Sequence, residues 1–330
     1  MTAGRPAAVL SGLGSWQPPT VVGNDVVAAR LGVSEEWILQ RTGVCTRRRV
    51  EPGTATVEMA VEAGTRALKS DGSGQVDAVL LATGTPDRLC PSSAPTLAAR
   101  LGLCGVAALD VAGACSGFLY GLAVAGGLLA AGTFHRVLLV GADTMSSVVD
   151  PEDRTTAAIF GDAAGAVVLR AGDPGEPGAL GPFVLGSDGD HGDLIHIAGG
   201  GALNRHGRVS LAMDGRSVFR HALHRMGGAV ADAAELAGWS LHEVDRFAVH
   251  QANARISRAL AADLGVDPAR WISNIEHAGN TTAASVPLLL DHANRHGGLA
   301  PGQRVILAAF GAGLTWGGTS VTWPALAAGD

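Results

Sequence analysis

Val111-Ala-Gly-Ala-Cys-Ser-Gly-Phe-Leu-Tyr-Gly-Leu-Ala-Val-Ala-Gly-Gly-Leu-Leu-Ala-Ala-Gly-Thr-Phe134 contains no charged residue and is long enough to cross a bilayer. Six glycines interrupt it, Asp110 precedes it, and the β-like run Val137-Leu-Leu-Val140 follows at once. In the strand-helix-strand unit of a parallel sheet, a helix that is apolar on all sides lies in the core. We therefore predict a buried central helix with Cys115 in its first turn, and no membrane span.

Apolar, β-branched runs alternate with helical patterns along the rest of the chain. The predicted strands are Val76–Thr83, Ala107–Val111, Val137–Gly141, Ala164–Leu169, Phe247–His250, Val305–Phe310 and Thr319–Trp323. This alternation favours an α/β fold with helices layered on mostly parallel sheets. A turn-rich connector, Ala171–Gly178, predicts a boundary near residue 172, between halves 1–172 and 173–330. Gly186–Gly207 lacks periodicity and is predicted to be a long surface loop.

The two halves repeat each other weakly at a nearly constant offset. Leu97-Ala-Ala-Arg-Leu-Gly102 matches Leu260-Ala-Ala-Asp-Leu-Gly265, and Cys115 and Asn280 stand half of the 330-residue chain apart. Solenoid repeats are far shorter, so this spacing indicates a duplicated α/β unit. A pseudo-twofold fold would bring Cys115 and Asn280 to its midline. His250 also ends a predicted strand, in the second half.

Composition excludes several classes of function. The net charge is −6 and basic residues form no run, so neither a nucleic-acid footprint nor a membrane-surface helix is expected. The four cysteines lack disulfide or metal spacing, and Met-Thr-Ala-Gly-Arg-Pro6 shows no export signal, which together fit a reducing cytoplasm. His191, Asp193 and His196 have no further ligand cluster near them in the sequence, so no metal site is predicted.

Three separate stretches carry residues suited to acyl chemistry. Cys115 lies between Gly113 and Gly117 at a predicted helix start, where exposed N–H groups favour a thiolate. His250 ends a strand, and Asn280 lies in an irregular polar turn. Taken singly, each has an ordinary structural explanation: a buried cysteine, a core histidine, a helix cap. Their conjunction indicates thiol-dependent acyl transfer.

The turn Phe310-Gly-Ala-Gly-Leu314 completes this set, because its closely spaced N–H groups could bind an oxyanion. With it, the sequence resembles the 3-oxoacyl-(acyl carrier protein) synthase III family of the thiolase-like superfamily. The resemblance runs from Gly12 to Trp316. Its motifs are Glu36-Trp-Ile-Leu-Gln-Arg-Thr-Gly43, Ala114-Cys-Ser-Gly-Phe118, Asp153-Arg154, Phe160-Gly-Asp-Ala-Ala-Gly165, His250-Gln-Ala-Asn-Ala-Arg255, Gly279-Asn-Thr-Thr-Ala-Ala-Ser285 and Phe310-Gly-Ala-Gly-Leu-Thr-Trp-Gly317.

The resemblance implies a thiolase-like fold of duplicated βαβαβαββ halves in five α-β-α-β-α layers, and a homodimer. Thiolases, plant-type polyketide synthases and elongating synthases are longer. The elongating synthases also use a second histidine where this chain has Asn280, so the match to synthase III is specific.

A ping-pong Claisen condensation is the activity that the resemblance implies. Cys115 would take the acyl group of an acyl-CoA starter, and malonyl-acyl carrier protein would decarboxylate and attack the acyl-enzyme. His250 and Asn280 would stabilise the enolate, while the amides of Cys115 and Ala312 would form the oxyanion hole. No cofactor is implied, because coenzyme A enters as part of the substrate.

Binding roles follow from the same resemblance. Coenzyme A would contact Trp37, Arg41 and Arg154, with its adenine between Trp37 and Arg154. The carrier protein would dock on Gln251, Arg255 and Arg258, helped by Arg216 and Arg220. Cys90 falls where the family places a residue that reaches into the acyl pocket of the dimer partner. That residue is bulky in members that prefer acetyl groups, so a cysteine implies room for a larger starter.

Two other functions stay open from the sequence alone. An acyltransferase on the same scaffold would pass the Cys115-bound acyl group to an alcohol or amine, and a non-catalytic subunit would keep the fold alone. The intact pair of His250 and Asn280 favours the condensing enzyme. The sequence names neither the acyl group nor the pathway, which could be fatty acid or polyketide synthesis.

Overall fold

The structure, a computed structural model, describes residues 5–327. The strands are β1 (Ala7–Trp16), β2 (Val21–Gly23), β3 (Thr46–Arg48), β4 (Ala78–Ala82), β5 (Ala107–Val111), β6 (Arg136–Asp143), β7 (Ala163–Gly172), β8 (Val184–Ser187), β9 (Ile195–Ile197), β10 (Leu211–Met213), β11 (Arg246–Val249), β12 (Arg304–Gly311) and β13 (Thr315–Thr322). The helices are α1 (Asn24–Leu31), α2 (Glu35–Thr42), α3 (Thr56–Asp71), α4 (Ala94–Arg100), α5 (Gly117–Ala130), α6 (Gly215–Leu236), α7 (Ala254–Asp263), α8 (Ile275–Ala278) and α9 (Ser285–Arg295). Most of the N-terminal stretch inspected for an export signal lies outside the described residues.

A five-stranded sheet with the order β1-β7-β6-β4-β5 forms the first half of the molecule. Its inner strands β4 and β6 are parallel, and β5 extends them in parallel at one edge. On the other side, β7 runs antiparallel to both β6 and β1. The β-branched and leucine-rich runs of β4, β6 and β7 are buried on both faces, as expected for central strands.

The second sheet has the order β11-β12-β13-β8. Strands β11 and β12 are parallel, and β13 pairs antiparallel with β12 and β8. A single parallel bridge from Phe247 to Trp271 lies on the free side of β11. Counting strands within each half, both sheets have the order 1-5-4-2-3, with the Trp271 bridge in place of a third strand.

Helices separate and cover the two sheets in five α-β-α-β-α layers, which confirms the predicted fold class. Helices α5 and α9 lie between the sheets, α3 and α4 cover the first sheet, and α6 covers the second. The predicted buried helix is therefore α5, whose Phe118, Leu119 and Leu122 belong to a core shared by both sheets. Within residues 5–327, no helix is long and apolar enough to cross a membrane.

Local structure departs from the sequence prediction in two places. Gly186–Gly207 is not one continuous loop, because it contains the end of β8, a 3₁₀ turn at Gly189–Leu194 and β9, which pairs with β10. These elements are too short to produce a periodic pattern. Cys115 lies in a 3₁₀ turn, Ala114–Ser116, immediately before α5 instead of in its first turn.

Candidate active site

A cavity of about 790 Å³ is lined by residues from both halves of the chain. Cys115, His250 and Asn280 all reach it, together with Ala312 of the turn between β12 and β13. The structure thus brings together the four residues that the sequence analysis singled out for chemistry. They meet where the two sheets contact α5, because each one follows a strand or a short turn that ends there.

Cys115 is held between the two halves by close backbone packing. A Cβ atom at Gly311 would lie 2.8 Å from the Cys115 nitrogen and 3.0 Å from its Cβ, so only glycine lets β12 approach this turn. Cys115 is partly buried and lines the cavity. Burial and the nearby Asp143 carboxylate raise the pKa of Cys115 to about 12, and its own backbone N–H opposes this by less. The helix start therefore does not produce a resting thiolate, contrary to the expectation from sequence.

His250 follows β11 and is 2% exposed. Its backbone N–H donates to the Ala308 carbonyl at 2.8 Å, which fixes the residue beside β12. Burial lowers the pKa of His250 to about 3, so the imidazole is neutral at any working pH. Nδ1 is buried without a partner among the described residues. An unpaired acceptor costs less than an unpaired N–H, so the proton belongs on Nε2, which makes that nitrogen a donor.

Asn280 connects the second half of the chain to the first. Its backbone N–H donates to the Ile159 carbonyl, and its carbonyl accepts from the Gly161 N–H, both at 3.0 Å. The side-chain Oδ1 accepts from the Thr282 N–H at 2.9 Å. Since that backbone group can only donate, the amide orientation is fixed. Nδ2 is left as a free donor among the described residues that line the cavity.

Two hydroxyl groups join the Cys115 turn to the Gly-Ala-Gly turn. Ser116 Oγ lies 2.6 Å from Thr315 Oγ1 and 2.8 Å from the Gly113 carbonyl, and Thr315 Oγ1 lies 2.8 Å from the Ala312 carbonyl. Because each hydroxyl has one proton, one of them donates to the other hydroxyl and the second donates to a carbonyl. These bonds hold the amides of Cys115 and Ala312 at one end of the cavity. Ser116 and Thr315 lie within motifs quoted above, but the sequence did not predict a role for either hydroxyl.

Asp143, at the end of β6, is the main residue that the sequence analysis missed. Its fully buried carboxylate lines the cavity. It accepts hydrogen bonds from Thr83 Oγ1, Gly84 N, Thr85 N, Thr85 Oγ1, Thr282 Oγ1 and Ala283 N. Burial raises the pKa of Asp143 and these donors oppose the rise, and an ionised carboxylate accepts all six bonds at once. The only signal for Asp143 in the sequence is that a charged residue ends an apolar strand.

The residues assigned to coenzyme A lie together on the cavity wall. Trp37, Arg41 and Arg154 all line it. The Arg41 guanidinium lies 4.3 Å from the centre of the Trp37 ring and covers one face of the indole. Arg154 Nε donates to the Leu31 carbonyl at 2.9 Å, so the end of α1 holds this guanidinium in place. A stacking ligand would have to use the other face of Trp37 or displace Arg41.

The proposed docking residues separate into two groups. Arg255 and Arg258 are exposed on α7, and Arg255 also reaches the cavity. Gln251 is 1% exposed, donates to the Val249 carbonyl and accepts from Ser273 Oγ. A buried side chain with both ends bonded does not reach a surface partner, so Gln251 does not belong to a docking surface. Cys90 is exposed and does not line the cavity of its own chain.

The metal-type residues of the sequence are arranged differently from their spacing. His191 lies next to Asp188 and His221, with ligand atoms within 4.8 Å of one another, whereas Asp193 and His196 are not part of the group. Arg225 already donates to Asp188 Oδ2 at 3.1 Å and lies over the Trp316 ring. The Asp188 carboxylate therefore already has an arginine as its ion-pair partner and a histidine ring nitrogen within hydrogen-bond distance.

Comparisons with known proteins agree with the geometry. Residues 109–189 match the family profile described as 3-oxoacyl-(acyl carrier protein) synthase III, and residues 234–323 match its C-terminal profile. A β-ketoacyl-(acyl carrier protein) synthase III of Streptomyces coelicolor is 51% identical over 97% of this chain and 98% of its own length.

Solved structures give the same answer. The crystal structure of a 3-oxoacyl-(acyl carrier protein) synthase III from Pseudomonas aeruginosa superposes with a TM-score of 0.93 at 46% identity, covering 97% of this chain and 99% of that one. A priming β-ketosynthase from a polyketide biosynthetic pathway superposes with a TM-score of 0.91 at 34% identity, covering 98% of both chains.

Proposed function

Because this chain belongs to the 3-oxoacyl-(acyl carrier protein) synthase III family, we propose that it condenses an acyl-CoA starter with malonyl-acyl carrier protein. The observation that carries this proposal is the convergence of Cys115, His250 and Asn280 on one cavity, with two neutral donors left free. Transfer of the acyl group to an alcohol or amine would not need that pair of donors. The reaction class is an acyl transfer that requires no resident cofactor, since the thioester substrates bring the reactive groups.

The loading step uses Cys115. Its sulfur attacks the thioester carbonyl, the S–C(acyl) bond forms, and the CoA thiolate leaves and takes the proton that the thiol gives up. Because the pKa of Cys115 is raised to about 12, the proton must leave as the substrate arrives and not before. The amides of Cys115 and Ala312 would bind the oxyanion of the tetrahedral intermediate.

The condensing step uses His250 and Asn280. Malonyl thioester loses CO₂, and the electron pair of the broken C–C bond moves into an enolate. His250 Nε2–H and Asn280 Nδ2–H would both donate to its oxygen, which lowers the energy of the enolate without a metal ion. The enolate carbon then attacks the acyl-enzyme, the new C–C bond forms, and Cys115 leaves as a thiolate that takes up a proton.

The residues around the mouth of the cavity would bind the two substrates. Trp37, Arg41 and Arg154 would hold coenzyme A, and Arg255 and Arg258 on α7 would meet the acidic carrier protein, with Arg216 and Arg220 nearby. Exposed guanidinium groups at such a surface mainly increase the rate at which the two proteins associate. We place the enzyme in the cytoplasm, because a nucleophilic thiol must stay reduced.

The assembly proposed here is a homodimer of chains that each contain two related halves. The equal strand order of the two sheets supports a duplicated unit with its boundary near residue 172. Strand β5 is an unpaired edge on which Leu109 is 38% exposed, and an edge of this kind is suited to pairing with a second copy. Cys90 would then enter the partner's acyl pocket and allow a starter larger than acetyl.

Intact-protein mass spectrometry tests this function directly. The enzyme and a Cys115→Ala control are mixed with acetyl-, isobutyryl-, hexanoyl- or benzoyl-CoA and then chased with malonyl-acyl carrier protein. We expect a mass gain that needs Cys115 and disappears as 3-oxoacyl-carrier protein is released. Loading that survives the chase would instead indicate an alcohol or amine acceptor, and no loading from any acyl-CoA would contradict the proposed donor.

A further inference from the structure

We propose that Asp143 is a positioning residue that sets the orientation of the Asn280 amide through Thr282, so that the condensing step depends on it and the loading step does not. This inference rests on the proposed function. It starts from the placement of one buried carboxylate between two segments that belong to different halves of the chain.

The two oxygens of Asp143 have separate partners. Oδ1 accepts from Gly84 N at 2.7 Å and Thr85 N at 3.1 Å, in the segment that follows β4. Oδ2 accepts from Ala283 N at 3.0 Å and from Thr282 Oγ1, in the turn that follows Asn280. The carboxylate therefore joins the rigid first sheet to the turn that carries the enolate donor.

Thr282 transmits this restraint to Asn280. Its hydroxyl donates to Asp143, and its backbone N–H donates to Asn280 Oδ1 at 2.9 Å. Thr282 also has a φ of 50°, which a β-branched residue adopts only when its surroundings hold it there. If the turn relaxes, the N–H moves away from Oδ1, and the Asn280 amide loses the contact that directs Nδ2 into the cavity.

An isosteric Asp143→Asn substitution removes the acceptor that faces Thr282 and Ala283 and leaves the acceptor that faces Gly84 and Thr85. Two obligate backbone donors face Oδ1, so the amide oxygen must stay there and the NH₂ must face the Ala283 N–H. Two donors then oppose each other, which displaces residues 282–283. Removing one donor from an oxyanion-type site typically costs 10²- to 10³-fold in rate, so a misdirected Asn280 should cost roughly 10- to 100-fold in condensation.

Loading should not fall when Asp143 is replaced. The Cys115 turn packs against α5, β12, β13 and residues 282–284. Tyr120 of α5 donates to the Gly186 carbonyl, and Arg304 lies at the far end of β12. The charged group that acts on the Cys115 thiol is Asp143, and His250 lines the same cavity. Since the negative charge of Asp143 raises the pKa of Cys115, its removal should make the thiol ionise at lower pH.

The experiment measures both half-reactions in Asp143→Asn at equal protein concentration. Loading is followed by mass spectrometry with acyl-CoA, condensation by single-turnover chase of the preloaded enzyme with malonyl-carrier protein, and Cys115 ionisation by the pH profile of its alkylation. We expect condensation to fall roughly 10- to 100-fold while loading at pH 8 stays equal or rises and the alkylation profile moves to lower pH. A general structural defect would slow both steps together and would overturn the proposal.

A pair of hydroxyl deletions provides the matched control. Thr282→Val and Thr83→Val each remove one hydroxyl donor to Asp143, but only Thr282 lies on the Asn280 side. Condensation should fall in Thr282→Val and recover in Thr282→Ser, while Thr83→Val resembles the wild type. Equal effects of Thr83→Val and Thr282→Val would contradict the proposal. If the wild type itself loads but never condenses, the proposed function fails instead.

Discussion

The protonation states of Cys115 and His250 determine how the proposed reaction can start. Burial holds His250 neutral by lowering its pKa to about 3, and the pKa of the Cys115 thiol is raised to about 12. A thiolate–imidazolium pair is therefore not the resting state. In contrast to cysteine enzymes with a preformed ion pair, the proposed reaction would generate the Cys115 thiolate only as the substrate binds.

Alkylation of the free enzyme tests this state. Between pH 7 and pH 10, the rate of Cys115 modification by iodoacetamide should rise about tenfold per pH unit without a plateau, because only the rare thiolate reacts. Digestion and mass spectrometry report Cys115 separately, and the exposed Cys104 serves as the internal check on the reagent. A plateau that begins below pH 8 would show that the thiol and the imidazole form an ion pair after all.

His250 also makes folding stability depend on acid. Its folded pKa lies below the unfolded value of about 6.5, so the unfolded chain takes up the proton first and stability is lost as pH falls from about 6.5 towards 3. Between pH 6.5 and 4.5 this amounts to about 2 kcal/mol for a fully buried imidazole. Urea unfolding at fixed protein concentration should show that slope in the wild type and a flatter slope in His250→Asn. If stability depended on pH equally in the wild type and in His250→Asn, the lowered pKa of His250 would be contradicted.

At the scale of elements, α2 and α7 meet across the mouth of the cavity. Asn253 caps α7 by accepting from the Arg255 N–H at 2.9 Å, and its Nδ2 donates to the Arg41 carbonyl at the end of α2 at 2.9 Å. Trp37 and Arg41 belong to α2, so this single side chain supports the surface on which coenzyme A is proposed to bind.

Replacing this cap should therefore affect both stability and binding. Asn253→Ala should cost about 1–2 kcal/mol in the free energy of unfolding and raise KM for acyl-CoA several-fold, with kcat little changed. Asn274→Ala is the matched control, because Asn274 precedes α8 without a side-chain capping bond. Urea unfolding and steady-state kinetics are measured for both variants. An equal loss of stability and an equal rise in KM in the two variants would contradict a specific role for the Asn253 bond to Arg41.

Elements that pack through continuous apolar runs could be predicted from the sequence. Strand β5 has the predicted bounds, and β4, β6, β7, β11 and β12 lie within two or three residues of theirs. Strand β13 begins at Thr315 instead of Thr319, because its first residues include two glycines that do not produce a β-like pattern. Glycine is required there, since a Cβ at Gly318 would lie 2.6 Å from the Ala229 carbonyl of α6. That close approach is a property of the packed molecule, which periodicity does not record.

In the candidate site, too, residues with a local motif could be predicted, and residues that depend on long-range contacts could not. Cys115, His250 and Asn280 could be found because each has its own local motif at the end of an element. For Asp143, the sequence shows only a charged residue at the end of an apolar strand. Its role could not be predicted, because the segments that it joins are about 60 and 140 residues away from it along the chain. The family resemblance implied a docking role for Gln251, but its side chain is buried and bonded to Val249 and Ser273.

At the scale of the whole molecule, α5 is shared by two sheets, so the two halves cannot open independently. Among the described residues, none of the segment 86–93 around Cys90 lines the cavity. Cys90 is exposed and lies away from the cavity of its own chain. If it controls the size of the starter, it must do so from a second copy.

A subunit-mixing experiment separates action across the dimer from action within one chain. Cys90→Phe alone should shift loading from larger starters towards acetyl, because phenylalanine fills the space that cysteine leaves. Differently tagged chains are then co-expressed, one carrying Cys90→Phe and the other Cys115→Ala, and the mixed dimer is isolated. Its only nucleophile lies on the Cys90→Phe chain and faces an unmodified Cys90 from its partner, so the mixed dimer should load the larger starters as the wild type does. Acetyl preference in the mixed dimer would place the effect within one chain, and unchanged preference in the Cys90→Phe homodimer would remove Cys90 from the acyl pocket altogether.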